Sequence, residues 1–338
     1  MRKVWKNYFD YTLFRPYIQW TYKGCYSHIE IRGRENLPDP QKACVILAPN
    51  HCNTMMDSLL VLQSRKEPVF FAARADIFKK PFFAAILNNL RILPIYRKRD
   101  GADSGRKNVA IFNDIVEGLE NGIAFCIHPE GTHRARRSLL PMKHGVFHIA
   151  QKAVEQNPQK PVYIVPVGLE YEDYYNLMRG ARISFGEPMK IDGDETMDEL
   201  SKELYRRISS LITFFPDDEN LGKAEEEWYE SRKKRYNALH FLLAAILLPF
   251  FVVSGFLCSP ILLASAKLCS GLKDKVWMNT VRYSCKLALT PFTAAGAAVA
   301  GFCTQPWYIA VALVIATVYS HPVFYSIYGF YKRLLATK

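Results

Sequence analysis

Two uncharged stretches constrain this chain more than anything else in it. Residues 238–266 carry no Asp, Glu, Lys or Arg, and neither do residues 287–331. Crossing the hydrocarbon of a bilayer takes roughly 20 apolar residues of helix. The second stretch is interrupted at Gln305-Pro306, so it divides into two spans, 287–304 and 307–331, joined by a tight turn. The first contains Pro249, Gly255 and Pro260 and reads either as one tilted span or as two half-helices that dip in and return. Basic clusters at 231–235, 267–286 and Lys332-Arg333 flank both stretches. Positively charged loops stay on the cytoplasmic side. Placing all three clusters there requires each stretch to go in and come back. The expectation for 238–338 is therefore a re-entrant hairpin followed by a two-span hairpin, serving as a membrane anchor.

The charge follows the same division. Of a net +12, the last 101 residues contribute +7, with eight bases against the single acid Asp274. The basic excess flanks apolar stretches and does not decorate a polar face, so a membrane partner is expected and a nucleic acid is not. The eight cysteines are scattered without a Cys-x-x-Cys pair, which argues against a disulfide scaffold or a zinc site and for a reducing compartment. Lys6, Asp10 and Arg15 interrupt any apolar core after Met1, so the start does not read as an export signal. Within residues 1–25, Trp5, Tyr8, Phe9, Tyr11, Phe14, Tyr17, Trp20 and Tyr22 alternate with Arg2, Lys3, Lys6, Arg15 and Lys23. Such a segment suits the headgroup boundary; the plainer reading is a helix packed on the following domain.

Residues 26–216 alternate β-rich and helical runs. Strands are expected at 28–33, 43–48, 68–73, 91–96, 123–128, 162–167 and 182–185. Helices are expected at 54–64, 81–90, 104–121, 143–155 and 196–212. That alternation predicts an α/β domain, a mixed sheet flanked by helices, with a charged linker helix over 217–237 leading to the C-terminal α-helical membrane region.

Sites on such sheets form in the loops beyond the carboxyl ends of the strands. The loop after 43–48 holds His51 and Asp57. A lone His is more often structural, but a carboxylate nearby makes a base–orienter pair, fixing the tautomer and stabilising the imidazolium. The loop after 123–128 reads Pro129-Glu130-Gly131-Thr132-His133-Arg134, followed by Arg136 and Arg137, and the loop after 91–96 begins Arg97-Lys98. A tight turn with exposed amides beside cations suits an anion such as phosphate. For Arg134, Arg136 and Arg137 a solvated, lipid-facing surface is the competing reading. Pro166 interrupts strand 162–167, unusual for a buried strand unless it shapes a pocket wall.

These four loops, in this order, resemble the blocks of the glycerolipid acyltransferase family over about residues 26–186. The His-x4-Asp block is similar to His51 with Asp57, although five residues intervene here. The block ending in Arg is similar to Leu93-Pro94-Ile95-Tyr96-Arg97. Phe-Pro-Glu-Gly-Thr-Arg-Ser is similar to His128-Pro129-Glu130-Gly131-Thr132-His133, with Arg134 the nearest substitute for the family's Arg. The apolar strand with an internal Pro is similar to Ile164-Val165-Pro166-Val167. Asn50-His51-x-Asn53-Thr54 with Leu139-Leu140-Pro141 looks closer to a branch that includes fungal glycerol-3-phosphate acyltransferases.

The resemblance implies a membrane-bound O-acyltransferase of phospholipid synthesis, at the cytoplasmic face of an inner or plasma membrane if the chain is bacterial. His51, held by Asp57, would take the proton of a hydroxyl on 1-acyl-glycerol-3-phosphate, which attacks the thioester of acyl-CoA or acyl carrier protein and yields phosphatidic acid. Arg97 would hold the acceptor phosphate, while Glu130, Gly131, Thr132, Arg134 and Pro166 would shape and line the acceptor site. No cofactor and no metal is implied, the acyl thioester being a co-substrate. Glycerol-3-phosphate, or a lyso-lipid without phosphate, is an alternative acceptor. An acyl-enzyme on Cys52 is an alternative route, and a lipid-binding scaffold without catalysis is the alternative class.

Overall fold

A computed structural model describes residues 9–97, 101, 103–233 and 236–336. Lys98 and the expected aromatic-basic residues before Phe9 lie outside these. The elements are α1 (Phe9–Lys23), β1 (Tyr26–Arg32), β2 (Cys44–Pro49), α2 (Met55–Ser64), β3 (Val69–Arg74), α3 (Pro81–Asn89), β4 (Ile92–Ile95), α4 (Ser104–Glu120), β5 (Ala124–Cys126), α5 (Gly145–Gln156), β6 (Val162–Tyr171), β7 (Arg179–Phe185), β8 (Met189–Ile191) and α6 (Met197–Leu211). Beyond them come α7 (Leu221–Glu230), α8 (Ala238–Leu257), α9 (Ser259–Ser270), α10 (Met278–Thr304) and α11 (Trp307–Leu335).

The strands form one eight-stranded sheet in the order β1-β7-β6-β2-β5-β3-β4, with β8 also paired to β6. Pairing is parallel except where β6 meets β7 and β8. Buried on both faces, β2 is apolar without alternation, as a central parallel strand should be. One face packs Met56, Leu60 and Val61 of α2 together with Tyr22 of α1. The other packs Ile115, Leu119, Phe147, Ile149, Leu204 and Ile208 of α4, α5 and α6. This is the mixed sheet with flanking helices that the alternation predicts.

Pro166 has a specific place in that sheet. It is in register with Ala48 on β2, while on its other edge β6 pairs β8 over residues 162–164 and β7 over 167–171. The residue without an N–H therefore stands where β6 changes partner, which is why a buried strand tolerates it.

Three helices are long and apolar enough to cross a membrane, at 238–257, 275–304 and 307–335. Their outer faces expose Leu242, Phe250, Phe256, Phe292, Phe302 and Trp307, among others. A surface this apolar requires lipid around it, so the protein associates with a membrane. Helices α10 and α11 form a hairpin across Gln305-Pro306; at Gly301 an added Cβ would come 2.9 Å from the Ala310 Cα, so only a small residue allows this approach. Helix α8 runs antiparallel to α11, the Tyr331 hydroxyl reaching the Ala244 carbonyl at 2.6 Å and the Phe251 ring stacked on Phe324. At Cys258 the chain turns into α9, whose Cys269 lies against Met278 at the start of α10. Both outer ends of the α8–α9 pair thus lie at the end of the bundle that touches the α/β domain.

The two parts are joined tightly. Tyr17 bonds the Leu287 carbonyl, Lys286 bonds the Thr21 carbonyl, and Asn279 bonds the Tyr174 carbonyl. Helix α1 packs on the domain, with Ile18 and Tyr22 buried, while Leu13 and Phe14 are exposed.

Candidate active site

The carboxyl ends of β2 and β5 carry the site. Asn50, just past β2, is buried, and its amide group accepts from the Leu169 N–H at 2.6 Å and donates to the Leu169 carbonyl at 3.1 Å. This side chain continues the sheet's hydrogen bonding beyond the last backbone pair and pins the start of the loop. The next five residues wrap tightly enough that Thr54 takes φ 52, a region unusual for a non-glycine residue, immediately before α2 begins. The loop thereby accommodates one residue more than the family spacing and returns Asp57, in the first turn of α2, to His51.

His51 Nδ1 lies 2.8 Å from Asp57 Oδ2. The same oxygen accepts from the backbone N–H groups of Cys52 and Asn53, at 2.9 and 2.7 Å. Asp57 is fully buried, whereas 18% of the His51 side chain is exposed. An acceptor-only carboxylate on Nδ1 assigns the proton to that nitrogen and leaves the Nε2 lone pair free to take a proton.

Glu130 locks the loop from the other strand. It is buried, with Oε1 accepting from the His51 N–H at 2.7 Å and Oε2 from the Leu140 N–H at 2.8 Å. Burial raises its pKa to about 7, against the lowering effect of those two amides. Gly131, at φ +69, makes the turn that follows, and Gly131 and Thr132 are exposed at the rim.

Four residues outside the expected set, His128, His133, Asp274 and Trp277, complete the surroundings. The His128 ring stacks on His51 and is fixed by the Asn50 carbonyl, 3.1 Å from its Nδ1, and by Ser58, whose hydroxyl lies 3.1 Å from Nε2. Burial and the neighbouring His51 lower its pKa to about 3, so it is neutral at working pH. His133 meets the His51 ring edge-on at 5.5 Å; its Nε2 is 3.2 Å from Asp274 and its ring 5.4 Å from Trp277. Asp274 and Trp277 precede α10, so the membrane region supplies one wall of the site. No motif in the sequence linked them to a loop 140 residues earlier.

The cations are placed differently from one another. Arg97 lies 3.6 Å from Asp76, at the end of β4, with a quarter of its side chain exposed. Arg134 donates to Asp217 at 2.9 Å and to Ser138 at 2.7 Å. Arg136 pairs with Glu225. Arg137 is buried, its guanidinium 3.5 Å over the Trp228 ring and its backbone N–H donating to Glu225. For Arg137, then, neither a solvated surface nor substrate contact describes its position: it clamps α7 onto the Glu130 loop. Pro166 is buried on β6, the strand beside β2 that leads into the loop, its carbonyl accepting from Gly186. Cys52 is buried beside Asp57 and Glu130, and burial followed by those carboxylates pushes its thiol well above the usual range. A thiol held protonated in this way is a poor nucleophile. Among the described residues, no group of three His, Cys, Asp or Glu side chains is placed to hold a metal ion.

A family model described as Acyltransferase matches residues 28–170, which contain both the His51–Asp57 pair and Glu130. Glycerol-3-phosphate O-acyltransferase 2 of Saccharomyces cerevisiae is 32% identical over 124 residues, 34% of this chain and 17% of its own. The lyso-ornithine lipid O-acyltransferase of Rhizobium meliloti is 28% identical over 136 residues, 40% of this chain and 44% of its own. The 1-acyl-sn-glycerol-3-phosphate acyltransferase alpha of Homo sapiens is 25% identical over 149 residues, 44% of this chain and 47% of its own. A crystal structure of the 1-acyl-sn-glycerophosphate acyltransferase from Thermotoga maritima superposes with a TM-score of 0.44 at 20% identity, covering 67% of this chain and 81% of that one. The chain spans less than half the length of these three curated relatives. The His51–Asp57 contact at the carboxyl edge of the α/β sheet lies within the segment that matches the acyltransferase model. Residues 28–170 are thus similar to acyltransferases that act on glycerolipids and related lipids.

Proposed function

We propose that this protein is a membrane-bound O-acyltransferase that moves a fatty acyl group from acyl-CoA or acyl carrier protein to a hydroxyl of 1-acyl-glycerol-3-phosphate, giving phosphatidic acid. The observation that carries the reading is the 2.8 Å contact between His51 Nδ1 and a fully buried Asp57, with the His51 side chain itself partly exposed. In the reaction, Nε2 takes the proton of the acceptor hydroxyl as its oxygen attacks the thioester carbonyl. The C–S bond then breaks, and the departing thiolate receives the proton from the imidazolium. General-base help of this kind contributes about 10²–10⁴-fold. Asp57 holds the ring and offsets its transient charge. Glu130 maintains the loop, Gly131 and Thr132 form the rim, and Arg97 and Arg134 supply cations for the acceptor phosphate, with Pro166 behind the loop.

We place the site at the cytoplasmic face. The α8–α9 pair would dip into the bilayer and return, and α10–α11 would cross and return. A diacyl product then remains in lipid, avoiding roughly 0.8 kcal/mol for every methylene otherwise moved into water. Glycerol-3-phosphate as acceptor is the second reading, favoured by the 32% identity with the yeast enzyme named for that substrate.

The test is a purified-protein assay with one labelled acyl-CoA and a panel of glycerol-3-phosphate, its 1-acyl form and non-phosphorylated lyso-lipids. Transfer to the 1-acyl form that vanishes in His51→Ala supports the proposal. Transfer undiminished in His51→Ala refutes the mechanism, and thioester consumption with none of these acceptors refutes the substrate class.

A further inference from the structure

At the end of α2 remote from Asp57, a cleft of about 580 Å³ opens between α1 and the segment leading to β3. Arg65, just past the end of α2, is eight positions beyond Asp57, about 12 Å at 1.5 Å per step, so this cleft is separate from the dyad. Arg15, Arg34, Arg65 and Lys66 line it together with Gln19 and Tyr11, and no acidic residue is among its lining.

Part of this cation cluster has an internal explanation. Arg15 donates to the carbonyls of Arg65 and Glu67, Arg34 to that of Ser64, and Gln19 to that of Leu62, so together they cap the carboxyl end of α2. Carbonyl partners satisfy N–H groups but do not neutralise a full charge. Arg65 is not explained by capping. It is 4% exposed, and neither Nε nor Nη1 has a hydrogen-bond partner; its nearest counter-charge, Glu67, is 3.8 Å away on an exposed side chain. Arg15 Nε is likewise buried without a partner. The unneutralised charge of Arg15, Arg34, Arg65 and Lys66 around one cleft suits an oxyanion, since Arg engages phosphate in a two-point fork.

The position of the cleft selects the source of the oxyanion. Tyr17 of the same helix bonds the carbonyl of Leu287, where the second uncharged stretch begins. Leu13 and Phe14, flanking the cleft on α1, are 58% and 52% exposed. Cations therefore sit beside apolar side chains at the depth where the polar and uncharged parts of the chain meet, which is headgroup depth. We propose that this cleft binds the phosphate of an anionic phospholipid headgroup, as a lipid site distinct from the acyl-transfer site.

The experiment uses the full chain, purified in detergent and stripped of lipid. Its melting temperature is followed as phosphatidylglycerol, phosphatidylcholine of the same chains, or inorganic phosphate is added. The expected result is saturable stabilisation by phosphatidylglycerol, little by phosphatidylcholine and none by millimolar phosphate. Lys66→Glu, an exposed change, should weaken the phosphatidylglycerol affinity by about fivefold or more, in keeping with one lost surface cation, and Arg65→Gln by more. Should Arg65→Gln fail to fold, Lys66→Glu combined with Arg34→Gln decides. Equal stabilisation by the two lipids, or unchanged phosphatidylglycerol affinity in the variants, overturns the proposal. Inorganic phosphate acting as well as the lipid overturns the headgroup as occupant. The readout involves no acyl transfer, so it stands or falls separately from the reaction proposed above.

Discussion

The ring of His128 lies flat on that of His51, with centroids 4.0 Å apart and planes 14° from parallel. The stack fixes the face of the proposed base while its edge is held by Asp57. It also places a neutral ring, with its pKa lowered to about 3, against one that must accept a proton.

His128 makes acid sensitivity predictable. Its pKa is depressed in the folded state, so its contribution to stability is complete above about 6.5, the unfolded value, and is lost as pH falls towards about 3. His128→Phe keeps the stacked ring and removes the titration. Denaturant melts between pH 7 and 4 should show wild type losing up to about 1.4 kcal/mol per pH unit from this residue, with a shallower slope in the variant. Parallel slopes would contradict the assignment.

Glu130 has the opposite sign. Its pKa is raised above the unfolded carboxyl value, so the stability it contributes in the protonated form is lost as pH rises from about 4.5 to about 7. Above about 7 the ionised form holds both the His51 and Leu140 amides. Glu130→Gln has one acceptor oxygen where two are used. It should lower transfer by about tenfold or more through a displaced His51 loop, and should erase the stability slope between pH 5 and 7.

Asp57→Asn should cost at least about 10²-fold in kcat, because an amide can turn a donor toward His51 and favour the wrong tautomer. Its KM should change little. A large KM effect with intact kcat would instead assign Asp57 to substrate binding.

Trp277→Ala removes the wall contributed by the segment before α10 and leaves the dyad untouched. Acceptor KM should rise about fivefold, the loss of roughly 1 kcal/mol of contact, with kcat nearly unchanged. Steady-state kinetics in mixed micelles read both.

Gly301→Leu tests the membrane hairpin. With an added Cβ already 2.9 Å from the Ala310 Cα, α10 and α11 must separate, at a cost of about 1–3 kcal/mol. The melting temperature in detergent should fall, and Gly301→Ala should fall less.

How far the residues alone reach is shown by where they stop. The strands and helices of the α/β domain appear within a few residues of expectation because each has its own periodicity and apolar run. Strand β8 did not, since Met189–Ile191 is three residues long and has no room for a pattern. Strand β6 continues to Tyr171, four residues past the expected end, because antiparallel pairing with β7 and the Asn50 amide sustain it beyond the apolar run. His51 and Asp57 could be paired on paper because they are six positions apart on one loop and the following helix. Asp274 and Trp277 could not, because their proximity to His133 depends on how the membrane helices dock. The fate of Arg137 was hidden for the same reason: Trp228 and Glu225 reach it only once α7 folds back.

The hydrogen bonds from Asn279 and Lys286 to the α/β domain give the molecule a fixed working height. One continuous helix runs from beside His133 down into the apolar bundle, so the dyad cannot rise or tilt independently of the span below it. For the reaction proposed above, a lipid acceptor of any tail length would have to lift its polar end by the same amount. Longer tails change only what stays beneath, like planks of different length fed to a saw bolted at one level.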